Sequence, residues 1–157
     1  MSESRFHDGL PVITSRKNDR LRLVRALHTR RGRRLRGRFL LEGPKAIAEL
    51  LEQDAGRVEQ VLYRDQPTLL RPVQRALEAA KRAQVAAFPV APELFDELAP
   101  SETPQGLLAV APLIWTPLEE LLAGDDLGAP RALVACLGVQ DPGNLGTIAR
   151  SARFFGF

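Results

Sequence analysis

Short apolar segments that fit β-strands alternate along this chain with amphipathic segments that fit α-helices. The strand-like segments are residues 39–41, 58–63, 85–88 and 107–110. The helical segments carry apolar residues at three- and four-residue spacing, and they are residues 19–35, 44–51, 69–83 and 93–98. Strands and helices alternating at these lengths predict an α/β layer with a largely parallel sheet.

Composition narrows the class of protein further. The chain has 157 residues and is 45% hydrophobic, which is ample for a folded core. No apolar run approaches the roughly 20 residues that cross a bilayer, and the N-terminus has no hydrophobic signal core, so we expect a cytoplasmic protein.

The single cysteine, Cys136, lies in an apolar segment predicted to be a strand (residues 132–137), which indicates a buried, inert thiol. His7 and His28 lack metal-ligand spacing, so no metal site is expected.

Positive charge is concentrated at the front of the chain. Residues 1–38 hold twelve Lys and Arg against three acids, whereas residues 39–157 hold ten against sixteen. Arginine offers a planar fork that suits phosphate oxygens, so a dense cluster predicts contact with nucleic acid. A solvated helix face is the alternative, although Asp19 alone opposes the run. The residues predicted to contact RNA are Arg16, Lys17, Arg30, Arg31, Arg33, Arg34 and Arg38.

The last segment of the chain predicts a tight turn that leads into a helix. Residues 141–144 (DPGN) have turn chemistry, and residues 145–155 have helical spacing, with Thr147 and Arg150 on one face. A P-loop is excluded because Asn144 and Leu145 stand where Lys and Ser or Thr are needed. The glycine spacing also excludes a dinucleotide fingerprint.

Three blocks together resemble one known family. They are residues 141–152 (DPGNLGTIARSA), residues 102–110 (ETPQGLLAV), and an opening pair formed by residues 13–18 (ITSRKN) and 38–43 (RFLLEG). Taken in their order along the chain, they are similar to the SpoU, or TrmH-like, family of RNA 2′-O-ribose methyltransferases. The resemblance implies a ribosomal-protein-L30e-like α/β domain followed by the first strand–helix unit of an α/β-knot (SPOUT) methyltransferase domain.

The resemblance and the composition together suggest four parts. Residues 1–36 are expected to form a basic helical segment, residues 37–112 the RNA substrate-binding domain, residues 113–130 a linker, and residues 131–157 the start of the methyltransferase domain. Family blocks that hold S-adenosylmethionine would lie after Phe157. We therefore expect these residues alone to bind no methyl donor and to transfer no methyl group, and the apolar side chains Leu133, Val134, Leu137, Ile148 and Phe155 to be exposed. The resemblance also implies a homodimer for the complete protein.

By the same resemblance, Asn144 and Arg150 form the functional pair. Arg150 would hold, or help deprotonate, the ribose 2′-hydroxyl that accepts a methyl group from S-adenosylmethionine. Because an arginine side chain stays protonated in proteins, electrostatic positioning is the safer role. Glu42 has two interpretations, a functional carboxylate or a cap of the following helix. The alternative function for the whole chain is a non-catalytic RNA-binding module of L30e-like fold. The sequence leaves both ribosomal and transfer RNA open as the substrate of the methyltransferase.

Overall fold

The computed structural model describes residues 10–122 and 133–156, and the chain divides into one unit up to Ile114 and another from Trp115. In the described range, the first unit holds a 3-10 turn at Ala55–Arg57 and nine α-helices and β-strands. The helices and strands are α1 (Asp19–Leu27), α2 (Arg30–Arg36), β1 (Arg38–Glu42), α3 (Pro44–Gln53), β2 (Gln60–Arg64), α4 (Arg71–Arg82), β3 (Ala87–Val90), α5 (Pro92–Asp96) and β4 (Leu107–Pro112). The α/β class predicted from the sequence is confirmed.

The four strands form one sheet in the order β1-β4-β2-β3. Strands β2 and β3 are parallel, whereas β4 lies between β1 and β2 and runs antiparallel to both. The predicted largely parallel sheet is therefore wrong. A parallel strand needs a crossover that returns the chain across the sheet. The segment after β3 forms only the five-residue α5 and stays near the end where β1 and β2 finish, so β4 must run back the other way.

Apolar side chains alternate across the sheet and form a core on each face. Val61 of β2 and Ala109 of β4 face α3 and α4, whose buried residues complete the first core. Leu62 and Leu108 face the opposite side, where α1 and α5 supply the second core. The period-two alternation therefore places the sheet between two helical layers.

The predicted single helix over residues 19–35 is two helices. The expected apolar stripe of α1 is confirmed, because Leu21, Val24 and Leu27 are buried. Leu35 was expected on the same stripe and is 74% exposed. The helix is interrupted at His28 and Thr29, where the Thr29 hydroxyl accepts a hydrogen bond from the Gly32 N–H and caps α2.

The second unit contains α6 (Leu118–Leu122) and α7 (Pro142–Phe154) in its described part. The predicted strand over residues 132–137 is absent from residues 133–137, which are irregular, and residue 132 lies outside the described range. Cys136 is exposed, so the predicted buried thiol is wrong. Helix α7 begins at Pro142, three residues earlier than predicted, because the Asp141 carboxylate accepts the Gly143 N–H as an N-cap and proline suits the first helical position.

Within residues 10–122 and 133–156, no helix combines the length and the apolar character needed to cross a membrane.

Candidate functional site

Three of the predicted RNA-contacting arginines have partners inside the first unit. Arg16 forms an ion pair with Glu97, and Arg38 forms one with Glu59 at 2.6 Å. The Arg33 guanidinium donates to the carbonyl oxygens of Leu27 and His28, each at 3.0 Å. It thereby satisfies the free carbonyls at the end of α1. These three side chains therefore make contacts within the first unit, and their charges are partly engaged there.

The other predicted basic residues are exposed, and the structure shows them no acidic partner in the part of the chain it describes. They are Lys17, Arg30, Arg31 and Arg34. Arg36 is also exposed and has no acidic partner among the described residues, although it was not among the residues predicted to contact RNA. Helix α2 buries none of its residues, so its side chains are not committed to the core. We call Arg30, Arg31, Arg34 and Arg36 the α2 arginine face.

Arg20 shows that an exposed residue can still have a structural role. Its guanidinium lies 3.6 Å from the centre of the Phe88 ring and donates to Gln60 Oε1 at 2.8 Å. A cation over an aromatic face is stabilised by the ring quadrupole. Arg20 therefore ties α1 to the sheet, and its charge is partly engaged there.

Glu42, at the end of β1, organises the loop that precedes β4. Its carboxylate accepts hydrogen bonds from the Ser101 N–H at 3.1 Å, the Ser101 hydroxyl at 2.7 Å and the Gln105 N–H at 3.3 Å. The interpretation of Glu42 as a cap of the next helix is wrong, since Gly43 occupies the cap position without a side-chain bond. Two of the three family-like blocks thus meet at this end of the sheet.

Gly43 and Gln105 pack closely at the same place. Gly43 has a φ of 109°, and a Cβ added there would lie 3.2 Å from Gln105 Oε1. A side chain at position 43 would therefore be both strained and crowded. The close approach was not visible in the sequence, because it depends on the loop that Glu42 holds.

A hollow of about 320 Å³ opens beside this loop. Arg64 lines it and forms a two-point ion pair with Asp96, at 2.9 Å from Nε to Oδ1 and 3.1 Å from Nη2 to Oδ2. The hydrogen bond with Asp96 raises the pKa of Arg64 above its ordinary value. Arg64 therefore keeps its positive charge, and the Asp96 carboxylate balances that charge. The arginines of the α2 arginine face have no such acidic partner among the described residues.

Helix α7 carries both residues of the predicted functional pair, Asn144 and Arg150, and both are exposed. Asn144 is exposed in the first turn, and it lines an open hollow of about 570 Å³ with Gln140, Asp141 and Thr147. Asp141, rather than Asn144, is the helix cap. Arg150 lies two turns further on, and its Nη2 donates to Thr147 Oγ1 at 3.1 Å.

The hollow beside Asn144 does not fit a site for S-adenosylmethionine. Its one carboxylate, Asp141, is engaged as the cap, and the surrounding residues 138–141 are exposed. A cofactor site of that size is normally concave and buries most of its ligand. We assign no cofactor-holding residue in the described part of the chain. No group of three or more metal-ligating side chains lies together within that part.

Several large apolar side chains of the second unit are exposed. Leu133, Val134, Leu137 and Phe155 are exposed as expected, whereas Ile148 is half-buried. Trp115 and Phe154 are likewise exposed, at 74% and 84%. They are not core residues in the part of the chain that the structure describes.

The first unit is an α/β domain that presents a basic helix and two structurally tied sequence blocks, an arrangement suited to a polyanionic substrate. The chain belongs to the MRM3-like substrate binding domain family, whose model matches residues 18–109.

Similar proteins extend the comparison beyond that domain. The 23S rRNA (guanosine(2553)-2′-O)-methyltransferase RlmP of Bacillus subtilis (strain 168) is 29% identical over 140 residues, which are 89% of this chain and 49% of that protein. A crystal structure of an RNA 2′-O ribose methyltransferase is 32% identical, with a TM-score of 0.64, over 93% of this chain and 53% of the other.

A third similar protein is the SpoU methyltransferase AviRb from Streptomyces viridochromogenes, solved in complex with AdoMet. It is 26% identical, with a TM-score of 0.56, over 88% of this chain and 49% of the other. The chain therefore spans about half the length of the relatives it matches. These matches confirm the resemblance to SpoU or TrmH-like RNA 2′-O-methyltransferases that the three sequence blocks indicated.

Proposed function

We propose that these residues are the RNA-recognition part, with the first piece of the catalytic domain, of an S-adenosylmethionine-dependent RNA 2′-O-ribose methyltransferase. The observation that carries the proposal is that the similarity to an RNA 2′-O ribose methyltransferase extends over 93% of the chain and so reaches beyond the first unit into the second. A simple RNA-binding module would have no need of the motif in α7. The similarity to RlmP makes ribosomal RNA the first substrate to test.

In this proposal, RNA phosphates contact the α2 arginine face and Lys17. These charges are exposed and have no acidic partner among the described residues, so each can neutralise a phosphate at no cost to an existing ion pair. Arg16, Arg33 and Arg38 lie on the same basic segment and are partly committed to Glu97, the end of α1 and Glu59. They contribute positive potential and fix the shape of the surface, rather than supplying free guanidinium groups.

Asn144 and Arg150 are the proposed catalytic residues. The Arg150 guanidinium would hold the ribose 2′-hydroxyl and a neighbouring phosphate by charge-assisted hydrogen bonds, which its exposed position on α7 allows. Asn144 would shape the loop at the start of the same helix. S-adenosylmethionine, held by other parts of the complete protein, would supply the methyl group.

The remaining features of the proposal follow from the resemblance. Residues 37–112 hold the substrate-binding domain in an L30e-like arrangement, residues 113–130 the linker, and residues 131–157 the start of the SPOUT domain. The basic helical segment, residues 1–36, precedes them. The complete protein would be a homodimer that acts in the cytoplasm.

The test is methyl transfer by the protein encoded by the complete gene. We expect it to move a labelled methyl group from S-adenosylmethionine to ribosomal RNA, and the modified nucleotide to resist alkaline cleavage, because that cleavage requires a free 2′-hydroxyl. The Arg150→Ala variant should still bind RNA and should transfer little label. Tight RNA binding with no transfer by the wild-type protein would favour the alternative, a non-catalytic RNA-binding module.

A further inference from the structure

The row of side chains between the two proposed catalytic residues contains a hydroxyl group with a fixed orientation. Asn144, Thr147 and Arg150 follow one another at three-residue spacing on α7, which places them along one helix face. Thr147 Oγ1 donates to the Gly143 carbonyl oxygen at 3.0 Å. Because a hydroxyl has a single proton, its lone pairs are then free to accept a bond from another group.

That second bond comes from Arg150. Its Nη2 donates to Thr147 Oγ1 at 3.1 Å, so the guanidinium is folded back toward the start of the helix. Residue 146 is a glycine, and a Cβ added there would lie 3.4 Å from Arg150 Nη1. The guanidinium therefore lies against the helix over Gly146.

We infer that Thr147 is a positioning residue that orients the Arg150 guanidinium toward the RNA ribose. A free arginine side chain samples many rotamers, and fixing one of them before the substrate arrives reduces the entropy lost in the reacting geometry. The hydroxyl acts only through Arg150 and does not touch the substrate. This inference rests on the proposed function of Arg150.

An ordinary structural role for Thr147 predicts something different. A threonine inside a helix often bonds to the carbonyl four residues earlier, with small effects on the helix alone. In that case, loss of the hydroxyl would change the stability of α7 and leave the guanidinium unaffected. The two roles are therefore separable by substitutions that keep the shape of the side chain.

The test compares Thr147→Val, which keeps the shape and removes the hydroxyl, with Thr147→Ser, which keeps the hydroxyl, both in the complete protein. For Thr147→Val we expect kcat for RNA methylation to fall about fivefold to tenfold, the effect of losing one hydrogen bond, with KM for RNA nearly unchanged. Thr147→Ser should restore kcat to near the wild-type value. In an Arg150→Ala background, Thr147→Val should cause no further loss. A Thr147→Val protein with wild-type kcat, or an equal loss in both backgrounds, overturns the inference.

A spectroscopic measurement distinguishes failure of the inference from failure of the proposed function. ¹⁵N NMR of the arginine side chains reports rotation of each guanidinium. We expect slower rotation for Arg150 than for Arg153, which is on the same helix, in the wild-type and Thr147→Ser proteins, and equal rotation in Thr147→Val. Equal rotation already in the wild type contradicts the inference. If the wild-type protein transfers no methyl group, the proposed function fails and this readout alone decides the role of Thr147.

Discussion

Single residues of the same type serve different purposes in this chain. Arg38 and Arg16 are held by Glu59 and Glu97, which lie 21 and 81 residues away in sequence. Arg30 and Arg34 have no such partner among the described residues. The sequence identifies the arginine cluster. It does not separate the arginines with an acidic partner from those without one, because the partners come close only when the chain folds.

The proposed role of the planar Arg150 guanidinium can be tested directly by substitution. In the complete protein, Arg150→Lys should lower kcat for methylation by about 100-fold, since a lysine presents a point charge and cannot make paired planar bonds. RNA affinity, measured separately by fluorescence anisotropy, should change little. A lysine variant with near-normal turnover would refute the proposed role of the guanidinium.

Glu42 makes a local contribution to the loop before β4. Glu42→Gln removes the charge and one acceptor oxygen, so three donors from Ser101 and Gln105 compete for a single oxygen. We expect the free energy of unfolding in urea to fall by about 1 kcal/mol and the amide hydrogens of Ser101 and Gln105 to exchange faster. Glu102→Gln, an exposed change in the same loop, serves as the control and should have almost no effect. Unchanged exchange in Glu42→Gln would show that the carboxylate does not hold the loop.

At the scale of elements, the α1–α2 corner depends on close backbone packing. A Cβ added at Gly32 would lie 1.8 Å from the Ala26 carbonyl oxygen, which is far inside contact distance. The same Gly32 N–H is the donor to the Thr29 cap. Only glycine fits this place without a shift of α2 against α1.

Substitution at this corner should be costly. We expect Gly32→Ala to lower the free energy of unfolding by about 1–3 kcal/mol, because α2 must shift away from α1. Urea denaturation followed by circular dichroism measures the change. Arg34→Ala, which replaces an exposed residue of the same helix by a better helix former, is the matched control and should be neutral or slightly stabilising. A neutral Gly32→Ala variant would mean that the two helices do not pack in this way.

Sequence patterns identified most helices and strands. They missed the break between α1 and α2 and the antiparallel direction of β4. The buried stripe Leu21, Val24 and Leu27 was visible from its spacing, whereas the break after it depends on the contact between Gly32 and Ala26. The strand at residues 107–110 was also recognised, but a run of apolar residues carries no information on the direction of the strand. Its antiparallel orientation is set by where the preceding loop lies, and that loop is held by Glu42.

The candidate site was predictable to a similar degree. The helix of α7 and the arginine cluster around α2 were predicted from residue types and spacing, whereas the functional pair Asn144 and Arg150 came from the family resemblance and stays a prediction. The contact between Thr147 and Arg150 was not predicted, although both were placed on one helix face, because it depends on the rotamers that the two side chains adopt. The missing strand at residues 133–137 shows a related limit, since a strand pattern forms a strand only where there is a neighbour to pair with.

At the scale of the whole molecule, the central claim is that RNA binds through the charges of α2. Replacing Arg30, Arg31 and Arg34 together by alanine removes three positive charges that have no acidic partner among the described residues. Replacing the exposed arginines Arg71, Arg75 and Arg82 removes the same net charge from α4, which packs on the opposite face of the sheet from α1. The pair of variants separates a local contact from a general effect of net charge.

The most direct measurement is the salt dependence of RNA binding by the complete protein and these two triple variants. In a plot of log affinity against log salt concentration, each lost phosphate contact reduces the slope by about 0.7 to 0.9. We predict that the slope falls by about 2 to 3 for the α2 variant and stays near the wild-type value for the α4 variant. Equal changes in both variants, or an unchanged slope in the α2 variant, would contradict the account.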